Sequence, residues 1–115
     1  LVVDDNPDAL NMLADALEQR GFATARAHDG PSALEVASRV HPQIALLDIG
    51  LPVMDGYELA RRLRERLGAE KLRLIAMSGY GHDADRARAN EAGFDHHLVK
   101  PVALDMLVAL LDRFR

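Results

Sequence analysis

Residues 44–52 read Ile44-Ala45-Leu46-Leu47-Asp48-Ile49-Gly50-Leu51-Pro52, an apolar run that stops at an acid and continues into a glycine and a proline. Short apolar runs bounded by turn residues are typical of strands that are buried on both faces of a parallel sheet. In α/β sheets the ligand site lies beyond the carboxyl ends of the strands. Asp48 therefore stands where such a sheet carries its chemistry.

Polar side chains occupy equivalent positions after three other short segments, Leu1-Val2-Val3, Leu74-Ile75-Ala76-Met77 and His97-Leu98-Val99. They are the neighbouring acids Asp4 and Asp5, the hydroxyl of Ser78 and the amine of Lys100. The carboxyl ends of parallel strands meet at one edge of the sheet, so we expect all of these side chains to lie close to Asp48.

Strand and helix signals alternate five times along the chain, a pattern typical of parallel strands joined by crossover helices. Asn6 before Pro7 is a typical helix start, and Asp55 with Glu58 forms a pair resembling a capping box. The predicted strands are 1–4, 22–27, 43–48, 72–77 and 95–99, and the predicted helices are 7–20, 31–40, 55–67, 83–92 and 103–114.

The composition of the predicted strands indicates their order in the sheet. Strands covered on both faces are apolar throughout, as in 1–4, 43–48 and 72–77, whereas 22–27 alternates and 95–99 is largely polar, which suits the edges. Right-handed crossovers then favour the order 2-1-3-4-5. We therefore predict an α/β fold, a doubly wound five-stranded parallel sheet of the flavodoxin-like (βα)5 type, with a ligand site between the first and third strands.

Size and charge narrow the class of protein. A chain of 115 residues with 49% hydrophobic residues is large enough for one packed core, so we expect a single domain over residues 1–115. The net charge of -4 predicts no direct nucleic-acid binding. The absence of cysteine fits a reducing cytoplasm, and no apolar run approaches the roughly 20 residues of a membrane span. We expect a soluble, cytoplasmic protein. The start at Leu1 rather than Met predicts that the chain lacks a few starting residues or was cut from something longer.

The fourth predicted helix differs from the others in its apolar face. Its inward candidates are Ala84, Ala87 and Ala92, whereas the first, third and last helices offer rows of leucine. A methyl group buries far less area than a leucine side chain, at about 25 cal/mol per Å². We predict that helix 83–92 is weakly anchored and is the most mobile of the five.

Three carboxylates at one sheet edge need a cation. Two unit charges about 4 Å apart interact by roughly 4 kcal/mol at an effective dielectric near 20. Hard oxygen ligands without histidine or cysteine suit Mg²⁺, with Mn²⁺ as the alternative. Lys100 supplies a second positive charge, and Ser78 can donate a hydrogen bond. These are the parts that phosphoryl transfer to an aspartate such as Asp48 requires.

The whole chain resembles a known family, the receiver domain of two-component response regulators, of which chemotaxis regulators are examples. Each motif is weak alone, but their order on successive strand ends is highly specific. The motifs that carry the resemblance are Leu1-Val2-Val3-Asp4-Asp5, Leu46-Leu47-Asp48, Leu51-Pro52-Val53-Met54-Asp55-Gly56, Met77-Ser78-Gly79-Tyr80 and Lys100-Pro101.

The resemblance implies a role for each site residue. Asp48 would accept a phosphoryl group from a histidine kinase or a histidine phosphotransfer protein. Asp5 and Asp48 would hold Mg²⁺ together with the backbone carbonyl of Gly50, while Asp4 would act mainly through a bound water. Ser78 and Lys100 would contact the phosphoryl oxygens.

The resemblance also implies a cis Lys100-Pro101 peptide bond. Phosphorylation adds about -1.5 to -2 charge units. Because the lightly packed helix 83–92 adjoins Ser78, we expect helix 83–92, strand 95–99 and the last helix to form the surface that responds. An output domain, a partner protein or a homodimer through the 83–115 face would then read the switch. The receiver of a hybrid histidine kinase is one such context.

The sequence departs from the family pattern at His97. In the family an aromatic side chain at this position of the fifth strand turns inward as the Ser or Thr shifts toward the phosphate. An imidazole is smaller and titratable, and it needs a hydrogen-bond partner when buried. Gly50 and Tyr80 occupy positions that tune phosphoryl lifetime in the family. His96 and His97 are not expected to share a metal, because neighbours on a strand point to opposite faces.

Two other functional classes remain alternatives to the phosphoacceptor switch. A Mg²⁺-dependent phosphatase with an aspartyl nucleophile usually has a second acid two residues past its nucleophile, where this chain has Gly50. A flavodoxin-like cofactor carrier would bind phosphate after the first strand, where Asp4 and Asp5 repel it.

Overall fold

Strands and helices alternate along the chain in the computed structural model, as the sequence predicts. The structure describes residues 1–68, 72–79 and 83–114, with side chains described throughout these ranges except at 83–86. Within them the elements are β1 (Val2–Val3), α1 (Pro7–Gln19), β2 (Arg26–Ala27), α2 (Gly30–Val40), β3 (Ile44–Asp48), α3 (Gly56–Leu67), β4 (Arg73–Ser78), α4 (Asp83–Glu91), β5 (His96–Val99) and α5 (Leu104–Asp112).

The five strands form one parallel sheet in the order β2-β1-β3-β4-β5, which confirms the predicted topology. Val3 pairs with Leu47 in the register of β1 and β3, so the acids that follow these two residues come out side by side. Ser78 pairs with Val99 at the other half of the sheet, one residue before Lys100. The register therefore brings the predicted polar strand ends to one edge.

Helices cover both faces of the sheet. One face packs against α1 and α5 through a cluster that includes Leu10 and Leu107. The opposite face packs against α2, α3 and α4 through a cluster that includes Leu34, Leu63 and Ala89. No described helix has both the length and the apolar content that crossing a membrane requires.

Alternate residues of the central strands enter the two clusters. Leu46 and Ile75 face α1 and α5, whereas Leu47 and Leu74 face α2, α3 and α4. Burial on both faces explains why β3 and β4 are continuous apolar runs, and it forces their first polar side chains to the strand ends.

The prediction of a strand over residues 22–27 is wrong for residues 22–25, because β2 contains only Arg26 and Ala27. The backbone just before β2 is hydrogen-bonded to the end of α1 instead of to the sheet: the N–H of Phe22 donates to Leu17 O at 3.1 Å. Ala25 still accepts a hydrogen bond from Val2 N at 2.9 Å. The chain therefore begins to pair with the sheet only after the hydrogen bonds that end α1.

The prediction for the buried face of α4 is wrong at Ala87, which is exposed. Ala89 and, just past the helix, Ala92 are the buried alanines, and they share their cluster with Phe94. Their spacing of three residues sets the rotation of the helix, which turns position 87 toward solvent. Ala84 lies outside the described side chains.

Candidate functional site

Asp48 and the acids near the start of the chain meet at the edge between β1 and β3. Asp48 is 8% exposed and Asp4 is 5% exposed, whereas Asp5 is an exposed side chain. One oxygen from each of the three carboxylates lies within 4.8 Å of the others. Two buried acids and one exposed acid thus form an open cluster of hard oxygen ligands, which fits the coordination that Mg²⁺ prefers.

Lys100 lies against the two buried acids of the cluster. Its Nζ is 3.3 Å from Asp48 Oδ1 and 3.5 Å from Asp4 Oδ2. It directly follows β5, and its peptide bond to Pro101 is cis. Lys100 N also donates to Ser78 O at 2.7 Å, which ties this turn to the end of β4.

Asp4 has a fixed orientation that the sequence does not reveal. Its Oδ1 accepts a hydrogen bond from Asn6 N at 2.9 Å, while Oδ2 faces Lys100. Asn6 in turn caps α1, with its side chain accepting from Asp8 N and Ala9 N. The start of α1 therefore holds one wall of the acid cluster.

The environment of Asp48 raises the pKa of its carboxyl above the ordinary value. Burial is the largest cause, and the neighbouring charge of Asp4 acts in the same direction. The N–H of Gly50, which donates to Asp48 Oδ1 at 3.2 Å, and the ammonium of Lys100 oppose the rise. The carboxylate is thus destabilised by its surroundings, and a further cation would relieve it.

The loop after Asp48 is held against the strand by a close backbone approach at Gly56. Gly56 N donates to Ile49 O at 3.0 Å. A Cβ added at Gly56 would lie 2.6 Å from Asp48 O, so only glycine fits there without a shift. The first residue of α3 therefore fixes the backbone that carries Asp48.

Asp55 caps this helix by accepting from Glu58 N at 2.9 Å, as the sequence predicts.

Ser78 ends β4 as a buried side chain that is 6% exposed. Its Oγ lies 2.7 Å from His97 Nε2 on β5. His96 points to the other face of the strand, where its ring centroid is 5.4 Å from that of Phe114. The two neighbouring histidines thus have separate environments.

Two structural features beside the site are not predicted from the sequence. Val53, in the loop between β3 and α3, has a φ of 68° and is 95% exposed. Arg88 of α4 places its guanidinium carbon 4.3 Å from the Tyr57 ring centroid and a guanidinium nitrogen 3.7 Å from Asp55 Oδ2. A β-branched residue in a Pro-Val-Met turn is the only sequence cue to the first feature. Tyr80, named for its position near Ser78, lies outside the described residues.

The comparison with protein families gives one match over nearly the whole chain. Residues 1–112 match the model described as "Response regulator receiver domain".

Three similar proteins illustrate the range of relatives. An uncharacterised 14.6 kDa protein of Leptolyngbya boryana is 37% identical over 99% of this chain and 87% of its own length. The sensor histidine kinase RcsC of Escherichia coli K12 is 41% identical over 93% of this chain, which spans 11% of that kinase. A response regulator of Burkholderia pseudomallei is 30% identical, with a TM-score of 0.86 over 94% of this chain and 62% of that one. The structure of that regulator is described as containing a phosphorylated aspartic acid, a calcium ion and citrate.

Proposed function

The chain belongs to the response regulator receiver domain family, whose members act as phosphoacceptor switches, and on this premise we propose that Asp48 is the residue that accepts the phosphoryl group. The observation that carries the proposal is the contact of Lys100 with both Asp48 and Asp4, inside a cluster of three carboxylates. A nucleophilic carboxylate, hard metal ligands and a mobile point charge are the groups that this transfer needs.

The acid cluster would hold Mg²⁺, or Mn²⁺ in its place. Asp5 and Asp48 would be direct ligands, the backbone carbonyl of Gly50 would be a third, and Asp4 would act through a water. The metal, when bound, neutralises charge on the carboxylates and on the phosphoryl oxygens. The exposure of Asp5 and Gly50 supports this arrangement, because Mg²⁺ keeps several of its waters.

The phosphodonor would be a histidine kinase or a histidine phosphotransfer protein. A carboxylate oxygen of Asp48 attacks the phosphorus, the bond from phosphorus to the donor's imidazole nitrogen breaks, and the electron pair of that bond returns to the nitrogen. Lys100 then moves from the Asp48 carboxylate to a phosphoryl oxygen, and Ser78 donates its hydroxyl hydrogen to another. Positioning and neutralisation of charge supply the catalysis.

The modified domain would act through its surface and not through turnover of a substrate. We assign the responding surface to α4, β5 and α5 within the 83–115 face, because β5 carries His97 beside Ser78 and leads directly into Lys100. Either an output domain, a separate partner protein or a second copy of the chain would read it. The match to RcsC supports a hybrid histidine kinase as one context.

Membership of the receiver family does not favour the phosphatase alternative. The position two residues after Asp48, where such an enzyme usually carries its second acid, is Gly50. The chain would therefore be a signalling domain that assists its own phosphorylation and dephosphorylation, and not an enzyme that turns over a separate substrate.

Labelling with a small phosphodonor tests the proposal. We expect acetyl phosphate or phosphoramidate with Mg²⁺ to add one phosphoryl group to the wild-type protein, as measured by intact mass, and chelation of the metal to prevent it. Asp48→Asn should abolish the label, whereas Asp15→Asn, at an exposed acid paired with Arg26, should keep it. Labelling that survives in a folded Asp48→Asn protein would reject the assignment. Rapid multiple turnover of a phosphomonoester by the wild type would restore the phosphatase.

A further inference from the structure

The hydrogen bond between Ser78 and His97 links the proposed phosphoryl site to β5. Ser78 Oγ and His97 Nε2 are 2.7 Å apart, which is a short and well-formed contact for a hydroxyl and an imidazole. Ser78 is buried at the carboxyl end of β4, and His97 lies two residues before the end of β5. The contact therefore joins the residue proposed to hold a phosphoryl oxygen to the strand proposed to report it.

The chemistry of the two groups allows this hydrogen bond to run in either direction. A serine hydroxyl has one hydrogen to donate and two lone pairs that accept, and each nitrogen of a neutral imidazole either donates or accepts. When Ser78 donates to His97 Nε2, the proton of the imidazole must be on Nδ1. When Ser78 donates elsewhere, it can keep this contact only by accepting from an N–H at Nε2.

We propose that Ser78 and His97 form a hydrogen-bond relay in which a phosphoryl group on Asp48 determines which nitrogen of His97 carries the proton. This inference rests on the proposed function of Asp48. A phosphoryl oxygen accepts the only hydrogen of Ser78, so Ser78 Oγ must then accept from His97. Nε2 takes up a proton from solvent and Nδ1 releases one to solvent, so the imidazole stays neutral and Nε2 becomes the protonated nitrogen. The modification would reach β5 through the position of a proton, without an aromatic ring turning inward.

The relay explains how a histidine can stand at this position. An inward-turning aromatic ring fills space that the serine leaves, whereas an imidazole already bonded to the serine cannot do so without losing a buried hydrogen bond. A buried polar group that loses its hydrogen-bond partner destabilises the folded protein. Reversing the direction of the bond avoids this cost at Ser78 Oγ and His97 Nε2, because these two atoms remain each other's partners before and after modification.

His96 provides a matched control within the same strand. It is adjacent to His97 and partly buried like it, but it faces Phe114 on the opposite side of the sheet. A general effect of phosphorylation on β5 would alter both imidazoles. The relay predicts a change at His97 and none of the same kind at His96.

Nitrogen NMR of the histidine side chains tests the proposal directly. Two-bond proton–nitrogen correlation spectra of ¹⁵N-labelled protein report the tautomer of each imidazole, and His97→Gln and His96→Gln variants assign the signals. At constant pH, addition of Mg²⁺ and beryllofluoride, a phosphoryl mimic, should shift His97 to the form protonated at Nε2 and leave the tautomer of His96 unchanged. In Ser78→Ala the response of His97 should disappear. A His97 tautomer that ignores the mimic, or that responds equally in Ser78→Ala, would overturn the relay.

Rates of modification provide a second readout that a purely structural role would not give. His97→Gln keeps an N–H near the position of Nε2, whereas His97→Leu removes it. We expect labelling by acetyl phosphate to slow about two- to tenfold in His97→Leu, the range that one hydrogen bond of ordinary strength gives, and to recover in His97→Gln. Equal rates in the two variants would contradict the relay. The same samples separate the two proposals, because an unlabelled wild-type protein rejects the role of Asp48, whereas a labelled one with an unchanged His97 rejects the relay alone.

Discussion

At the scale of single residues, the ionised carboxylate of Asp48 is less stable in the folded protein than in water. Burial and the charge of Asp4 raise its pKa above the ordinary value of 3.8, so the folded protein binds a proton there more readily than the unfolded chain. Ionisation of Asp48 therefore opposes folding as pH rises from 3.8 through the folded pKa, and it has no effect on stability below 3.8, where both states are protonated.

The first prediction is that Asp48→Asn stabilises the metal-free protein at neutral pH. We expect a gain on the order of 1 kcal/mol, or roughly 4 °C in the thermal midpoint, because the amide is neutral and nearly isosteric. Thermal unfolding of both proteins from pH 7 to pH 3.5 measures it, and the difference should shrink as pH falls. Asp15→Asn should show no gain. An Asp48→Asn protein that is less stable than the wild type at pH 7 would contradict the prediction.

Val53 is strained in the loop that follows Asp48. A φ of 68° places a β-branched residue in the left-handed region, where a non-glycine residue costs about 1–3 kcal/mol. Its side chain is 95% exposed and recovers almost none of this cost by burial.

The second prediction is that Val53→Asn raises the free energy of unfolding by about 1 kcal/mol, because asparagine tolerates the left-handed region. Urea unfolding at equal slope measures the gain. The matched control is Val40→Asn, at a valine that is also exposed but lies at the end of α2, with no positive φ. A loss of stability in Val53→Asn, or an equal gain in Val40→Asn, would disprove the role of strain.

Residue-scale predictions from the sequence succeed where the rule concerns strand ends. Asp4, Asp48 and Lys100 meet because parallel strands deliver their first polar side chains to the same edge. The bond from Ser78 to His97 was not predictable in the same way, because it depends on side-chain rotamers and on distances of a few tenths of an ångström.

At the scale of elements, the order of the sheet follows from composition because burial on both faces excludes polar residues from the interior of β3 and β4. The length of β2 does not follow from composition. An alternating segment at the edge of the sheet has backbone groups that can form hydrogen bonds with the end of α1 instead. The buried face of α4 could not be predicted from the sequence either, because its alanines are spread around the helix and define no clearly apolar face.

The attachment of α4 is shared between small buried side chains and one arginine. Ala89 and Ala92 bury little area, whereas the guanidinium of Arg88 lies over the ring of Tyr57 and near Asp55, the cap of α3. A contact of this kind contributes about 0.5–1 kcal/mol at an exposed site. Arg88 thus couples α4 to α3, the helix that follows the loop after Asp48.

The third prediction is that Arg88→Gln loosens α4 while leaving α3 in place. Amide exchange at residues 89–92 should become about two- to fivefold faster, which corresponds to the loss of the arginine contact. Arg62→Gln is the control, because Arg62 forms an exposed pair with Glu58 on α3, and none of its described contacts is with α4. Unchanged exchange in Arg88→Gln would show that the alanines alone anchor the helix.

At the scale of the whole molecule, the site and the stability of the fold are linked through the acid cluster. The three carboxylates come from the ends of β1 and β3, so a cation held by all of them stabilises the folded chain and not the unfolded one. Ligand binding of this kind adds about 2.7 kcal/mol when the free ligand is at 100 times its dissociation constant. The exposed acid Asp5 is the member of the cluster whose replacement disturbs packing least.

The fourth prediction follows from this linkage. Mg²⁺ should raise the thermal midpoint of the wild type by several degrees, with saturation, and Mn²⁺ should do the same. Asp5→Asn should remove most of this response, because it deletes a proposed direct ligand while leaving the buried pair of Asp4 and Asp48 intact. Asp8→Asn, at an exposed acid in the first turn of α1 outside the cluster, should retain the response. Equal Mg²⁺ responses in the Asp5 and Asp8 variants would mean that the metal acts by screening the net charge, whereas a response lost only with Asp5 locates it at the edge between β1 and β3.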